Sequence, residues 1–194
     1  METLQNKNIG FAITASYCTF SKILEPLKQL INAGADITPI MSFNASTLDS
    51  RFITAQNFKK EIELITGHSI LDTIADVEPI GPKSLLDLLI IAPCTGNTLA
   101  KLTLGITDTP VTMACKAHLR NERPVLIAIS TNDALSANAG NLGKLINTKG
   151  YYFVPFHQDD CQKKPNSLIA KMDLLLPAAI DCINGKQLQP VICT

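Results

Sequence analysis

The run Leu88-Leu89-Ile90-Ile91-Ala92 is apolar at every position. A strand with one face in water alternates polar and apolar residues, whereas an unbroken apolar strand needs cover on both faces. Comparable runs recur at Asn8–Thr14 (NIGFAIT), Asp36–Phe43 (DITPIMSF), Pro124–Ser130 (PVLIAIS) and Tyr151–Phe156 (YYFVPF). Helix-length segments separate them. Phe20, Ile23, Leu24, Leu27, Leu30 and Ile31 fall at helical spacing, and Gly34 closes that pattern. Phe58, Ile62 and Ile65 make a second helix ended by Gly67, and Leu99, Leu102 and Ile106 a third. Pro110 suits the first position of a helix over Val111–Leu119. Leu135, Leu142, Leu145 and Ile146 outline another helix running to Gly150, and Leu168–Ile183 the last, with Pro177 as a potential break.

Non-alternating strands spaced by helices predict an α/β fold: a doubly wound, three-layer sandwich with a mainly parallel sheet, of Rossmann-like type. Residues 1–194 read as one domain. Pro26 is expected to kink or shorten the first helix. The stretch EPIGPKS, Glu78–Ser84, is expected to be loop.

In an open parallel sheet, ligands bind outside the carboxyl ends of the strands. The residues following the first four runs are Thr14-Ala15-Ser16, then Ser42, then Cys94-Thr95-Gly96-Asn97-Thr98, then Ser130-Thr131-Asn132. Each loop is small and rich in hydroxyls or amides. Such groups at helix starts favour an anion, because orphan amides and the helix dipole point at it. Any one of them could equally be a helix cap. GFAITAS is not GxGxxG, so a dinucleotide fingerprint is absent and a phosphomonoester, as in a mononucleotide, fits better.

Seventeen basic and seventeen acidic residues cancel, which removes the electrostatic reason for a nucleic-acid or membrane partner. Lys163-Lys164 reads as part of a solvated loop. No signal peptide and no membrane span is expected. Cys18, Cys94, Cys115, Cys161, Cys182 and Cys193 include no Cys-x-x-Cys pair, and His68, His118 and His157 stand apart. This speaks against a metal site and for reduced thiols in a cytoplasmic protein.

The segment APCTGNTLAKLTLGITD resembles the PASANT motif, and the helix after it, of the homo-oligomeric flavin-containing cysteine decarboxylases, the flavoprotein family. Pro93, Asn97 and Thr98 match, and Cys94, Thr95 and Gly96 vary. ISTN, Ile129–Asn132, stands where that family has PAMN, and AITAS where it holds a flavin mononucleotide (FMN) phosphate. The resemblance implies cofactor contacts from Thr14, Ala15, Ser16, Ser42, Pro93, Thr95 and Thr98. It implies substrate contacts from Asn97, Ser130, Thr131 and Asn132. Within the family, STNDALSANAGNLGKLI, ITPIMSFNASTLDSRF, VPFHQDD and KKPNSLIAKMDLL are similar to the smaller subunit of a two-subunit sporulation oxidoreductase that makes a pyridine dicarboxylate. That similarity implies a larger partner subunit with NADP, a dicarboxylate substrate, a homo-oligomer and a cytoplasmic location in the mother cell.

The family's decarboxylases carry a His shortly before the PASANT strand. Here Glu78 or Pro79 stands in that place, so cysteine decarboxylation loses its expected base. HQDDCQKKPNS replaces the family's Cys-bearing lid and leaves Cys161 as a thiol of open role. Three readings remain: an oxidoreductase subunit with little or no activity alone, a flavin-dependent cysteine decarboxylase, and a non-catalytic ligand-binding module supporting a partner. Asn97 and Asn132 are expected either to cap helices or to hold a carboxylate through their N–H donors. Arg120, Arg123 or the partner would meet a second carboxylate.

Overall fold

The computed structural model describes residues 4–193. Its elements run β1 (Asn8–Ile13), α1 (Phe20–Asn32), β2 (Asp36–Met41), α2 (Phe43–Thr47), α3 (Ala55–Thr66), α4 (Ile74–Val77), β3 (Leu88–Cys94) and α5 (Gly96–Leu104). They continue with α6 (Pro110–Leu119), β4 (Val125–Thr131), α7 (Ala139–Ile146), β5 (Tyr151–Phe153), β6 (Phe156–Gln158), β7 (Leu168–Ala170) and α8 (Leu175–Ile183).

The central order β2-β1-β3-β4 is parallel throughout. Because β3 is apolar on both faces, it feeds two cores. Leu88, Ile90 and Ala92 join Ile23, Leu27, Phe58 and Leu175 on the face covered by α1, α3 and α8. Leu89, Ile91 and Cys94 join Leu99, Val111, Ala114 and Leu142 on the face covered by α5, α6 and α7. Phe20 and Phe58 stack at 4.0 Å between ring centroids and lock α1 to α3, a pair of aromatics contributing about 0.5–1.5 kcal/mol beyond its buried area. The doubly wound, mainly parallel fold is as the sequence predicts.

Several local expectations are corrected. Helix α1 runs through Pro26 to Asn32, because that ring is buried on the core face and the packing of Ile23, Leu27 and Leu30 outweighs one missing hydrogen bond. Glu78–Ile80 is a single 3-10 turn continuing α4, with Pro79 in its first turn, where no N–H is needed. Helix α5 stops at Gly105, whose left-handed φ of 70° ends it, so Ile106 lies outside the helix and is 41% exposed. Leu135 likewise precedes α7 and is exposed.

The fifth apolar run is two strands. β5 pairs parallel with the first half of β4, from Val125 to Ile127, and then Pro155 intervenes. β6 pairs antiparallel with β7, and β7 with the second half of β4 through Ser130 and Thr131. The segment expected to begin the last helix is therefore strand at Leu168–Ala170, a 3-10 turn at Met172–Leu174, and only then α8, which takes Pro177 in its first turn.

Candidate binding cleft at the strand ends

Parallel register places the carboxyl ends of β1, β2, β3 and β4 on one edge. A cleft of about 740 Å³ opens there, lined by the first loop, the start of α5, the turn after β4, and Leu168 and Ile169 of β7. Its floor is stitched by hydroxyls. Thr14, almost fully buried, donates to the Pro93 carbonyl at 2.7 Å and accepts the Thr95 N–H at 3.0 Å. Ser16, Thr19 and Ser130 form a closed triangle with edges of 2.9, 3.1 and 2.8 Å. Three O–H protons serve three edges, so one must turn outward to meet an anion. Ser16 is the least buried of the three.

Of the residues expected to bind a cofactor, Ala15, Ser16 and Thr95 line the cleft. Thr14 and Pro93 lie beneath it, bonded to one another. Ser42 caps α2 by accepting the Ala45 N–H. Thr98 is buried and takes both its hydroxyl and amide contacts from Thr95, the cap of α5. The four expected substrate residues, Asn97, Ser130, Thr131 and Asn132, all line the cleft.

Thr95, not Asn97, caps α5, and Asn138, not Asn132, stands at the cap of α7. Both amides are exposed at the cleft.

Behind them sits a polar knot. Asp133 accepts from the Thr131 hydroxyl at 2.5 Å and from Asn138 Nδ2 at 2.8 Å, and Asn141 donates to Asn138 at 2.9 Å. The knot presses on the Cα of Gly96. A Cβ there would stand 2.5 Å from Asp133 Oδ1, 2.6 Å from Asn138 Nδ2 and 2.7 Å from Thr131 Oγ1. Glycine at the first position of α5 is thus the condition for the loop after β4 to close over that helix.

Arg120 and Arg123 are at the other end of the sheet. Arg123, which precedes β4, donates to the carbonyls of Ser84 and Leu86. Arg120 lines a separate apolar hollow with Tyr151 and Ile106. The cleft's own cations are Lys22, Arg51 and Lys164. Lys164, expected in a solvated loop, bonds Asp159 at 2.7 Å, which holds that carboxyl below its usual range. Sequence reasoning gave Lys22, Arg51 and Asp133 no role and left Lys164 in a solvated loop, because isolated charges from separate segments carry no periodic signal.

No histidine lines the cleft among the described residues. His68 Nε2 is 2.7 Å from Asp36, His157 is on β6, and His118 is buried on α6 and bonded to the Pro124 carbonyl. The six cysteines are free. Burial raises the thiol of Cys94 and pushes that of Cys115 up to about 12, so neither is a nucleophile at neutral pH. Among the described residues no group of His, Cys, Asp or Glu could hold a metal ion, and no helix is long and apolar enough to cross a membrane.

A mainly parallel sheet wound by helices on both faces, with a hydroxyl- and amide-lined cleft at its strand ends, defines a Rossmann-like α/β protein. The chain belongs to the flavoprotein family, whose model ("Flavoprotein") matches residues 1–173. It is 46% identical, over 99% of its length and 96% of the relative's, to the B subunit of dipicolinate synthase from Bacillus subtilis (strain 168). The solved structure of the same subunit from Bacillus halodurans superposes with a TM-score of 0.91 at 41% identity, covering 99% of this chain and 98% of that one. The FMN-dependent cysteine decarboxylase SpaF shares the fold, with a TM-score of 0.70 at 21% identity over 94% of this chain and 99% of that one.

Proposed function

We propose that this chain is the smaller subunit of a dipicolinate synthase. It acts with the larger dipicolinate synthase subunit, which carries NADP, to form pyridine-2,6-dicarboxylate from the cyclic product of 4-hydroxy-tetrahydrodipicolinate synthase. The overall change is loss of one water, then removal of a hydride and a proton, with NADP⁺ accepting the hydride. The observation that carries this reading is the pair Asn97 and Asn132. Neither is a cap, neither side chain has a hydrogen-bond partner among the described residues, and both line one cleft. Neutral amides donate to a carboxylate without adding charge, and the first-turn amides of α5 add their dipole.

The cleft offers acid–base chemistry little to work with. Both oxygens of Asp133 accept hydrogen bonds, and Asp159 is paired to Lys164. This supports a division of labour in which this chain binds and orients the dicarboxylate while the partner takes the hydride.

FMN is the cofactor that the family suggests, and the first loop fits its phosphate. Ala15 and Ser16 leave the backbone open, the turn Tyr17–Thr19 presents first-turn amides, and the hydroxyls of Ser16 and Ser130 stand beside them. Tyr17 does not close the loop, since its hydroxyl donates to the Asn44 carbonyl at 3.1 Å and its ring forms a wall. FMN bound there would supply a two-electron carrier. The lack of a cleft histidine among the described residues counts against cysteine decarboxylation.

Co-expression with the larger subunit tests the reading. Neither protein on its own should form more than traces of dipicolinate, the pair should form it with NADP⁺, and flavin should be visible in the absorption spectrum of this chain. Full activity of the larger subunit without this chain, or turnover of a C-terminal cysteine by this chain, would refute the assignment.

A further inference from the structure

The cleft carries five charged side chains: Lys22, Arg51, Asp133, Asp159 and Lys164. Three of them are engaged. Lys164 and Asp159 neutralise one another at 2.7 Å. Asp133 is held at both oxygens by Thr131 and Asn138. Lys22 and Arg51 remain, and among the described residues neither lies within ion-pair distance of a carboxylate. Lys22 is near enough to add weakly to the lowering of Asp159.

Arg51 is not loose. Its guanidinium carbon sits 4.8 Å from the centroid of the Phe52 ring, and both residues line the cleft. Stacking on the ring face restrains the guanidinium while leaving its N–H edge free. A fork of that kind matches a carboxylate bidentately.

The cleft therefore has two unlike donor sets. At the ends of β3 and β4 stand the neutral amides of Asn97 and Asn132. In the same lining, on α1 and the segment after α2, stand two cations that form no ion pair among the described residues. Ala15, Phe52, Leu168 and Ile169 contribute apolar wall to the same space. We propose that Lys22 and Arg51 form an anion subsite for the second carboxylate of a planar dicarboxylate, whose first carboxylate lies at Asn97 and Asn132. The subsite selects dicarboxylates over monocarboxylates. It deepens the proposed function and rests on that reading for the identity of the ligand. The flavin phosphate shares the same oxyanion chemistry, but hydroxyls and first-turn amides already serve it at Ser16 and Ser130.

The test uses the full chain with the larger subunit present. Wild type, Lys22→Gln, Arg51→Gln and the double variant are titrated calorimetrically with pyridine-2,6-dicarboxylate, pyridine-2-carboxylate and FMN. Both positions are exposed, so the variants should fold. The wild type should prefer the dicarboxylate. Each single variant should weaken dicarboxylate binding about tenfold, the scale of one hydrogen bond to a charged group. The monocarboxylate and FMN should change by less than about twofold, since the first is held at Asn97 and Asn132 and the phosphate of the second at Ser16 and Ser130. Unchanged dicarboxylate affinity overturns the subsite, as does a loss of FMN affinity, whether alone or together with the dicarboxylate. Dipicolinate formation by the wild-type pair is measured alongside. If that fails, the proposed function falls; if it succeeds while the variants bind normally, only the subsite falls.

Discussion

The Thr14 hydroxyl and the Pro93 carbonyl are 2.7 Å apart, joining the ends of β1 and β3. Pro93 has no N–H, and the β3–β4 register shifts between Ile91 and Cys94. Thr14 takes up the slack by donating to the Pro93 carbonyl and accepting the Thr95 N–H. Thr14→Val keeps the shape and the Thr14 N–H still reaches the Pro93 carbonyl at 3.3 Å, but the half-buried Thr95 N–H loses its partner. Urea unfolding should show a loss of about 1–3 kcal/mol, the cost of one such group, while Thr14→Ser should recover most of it. A near-neutral Thr14→Val would mean that the strand ends are not held by this hydroxyl.

Gly96 separates a steric role from a conformational one. Gly96→Ala drives a methyl into Asp133, Asn138 and Thr131, which should cost about 1–3 kcal/mol by overpacking and weaken ligand binding by displacing Asn97 and Asn132. Gly143 in α7 has open space around its Cα, so Gly143→Ala should stabilise by about 0.5–1 kcal/mol from helix propensity alone. Thermal melts of the two variants shifting in the same direction would contradict this contrast.

Asn97→Asp and Asn132→Asp test the amides. Both side chains are exposed and unpartnered among the described residues, so each change should alter stability by less than about 0.5 kcal/mol. At the first turn of α5 an added negative charge even favours the helix. Against a carboxylate ligand the same charge should raise KM at least about tenfold, the scale of one lost charge-assisted contact. Full activity of the two-subunit complex in both variants would remove these residues from the site.

His118 should give the fold a pH dependence. Burial pushes its pKa down to about 4, the hydrogen bond to the Pro124 carbonyl opposes this, and the nearby Arg123 adds to it. The unfolded chain binds this proton near pH 6.5, whereas the folded chain resists it until about pH 4. Stability should therefore be full above pH 6.5, fall as pH drops through that window, and level off for this group below about 4, by up to about 3 kcal/mol at 1.36 kcal/mol per unit. His118→Gln should flatten the profile between pH 6.5 and 5 in urea titrations, and an unchanged slope would assign it to other groups.

What the sequence determined by itself was local and periodic. Apolar runs without alternation required cover on both faces, and parallel connection then put every strand's carboxyl end on one edge. That was enough to bring Ser16, Thr95, Asn97, Ser130 and Asn132 to one cleft. Tertiary structure alone decided the rest. The second half of β4 offered an unpaired edge, and the chain after Pro155 returned antiparallel to fill it, converting residues expected in a helix into the wall at Leu168 and Ile169. Thr95 took the cap of α5 and freed Asn97, an outcome of side-chain competition that residue type does not reveal. Lys22, Arg51 and Lys164 come from separate segments with no pattern in common. Electrostatic partnership depends on distance in space, and sequence spacing reports distance only within one helix or one strand.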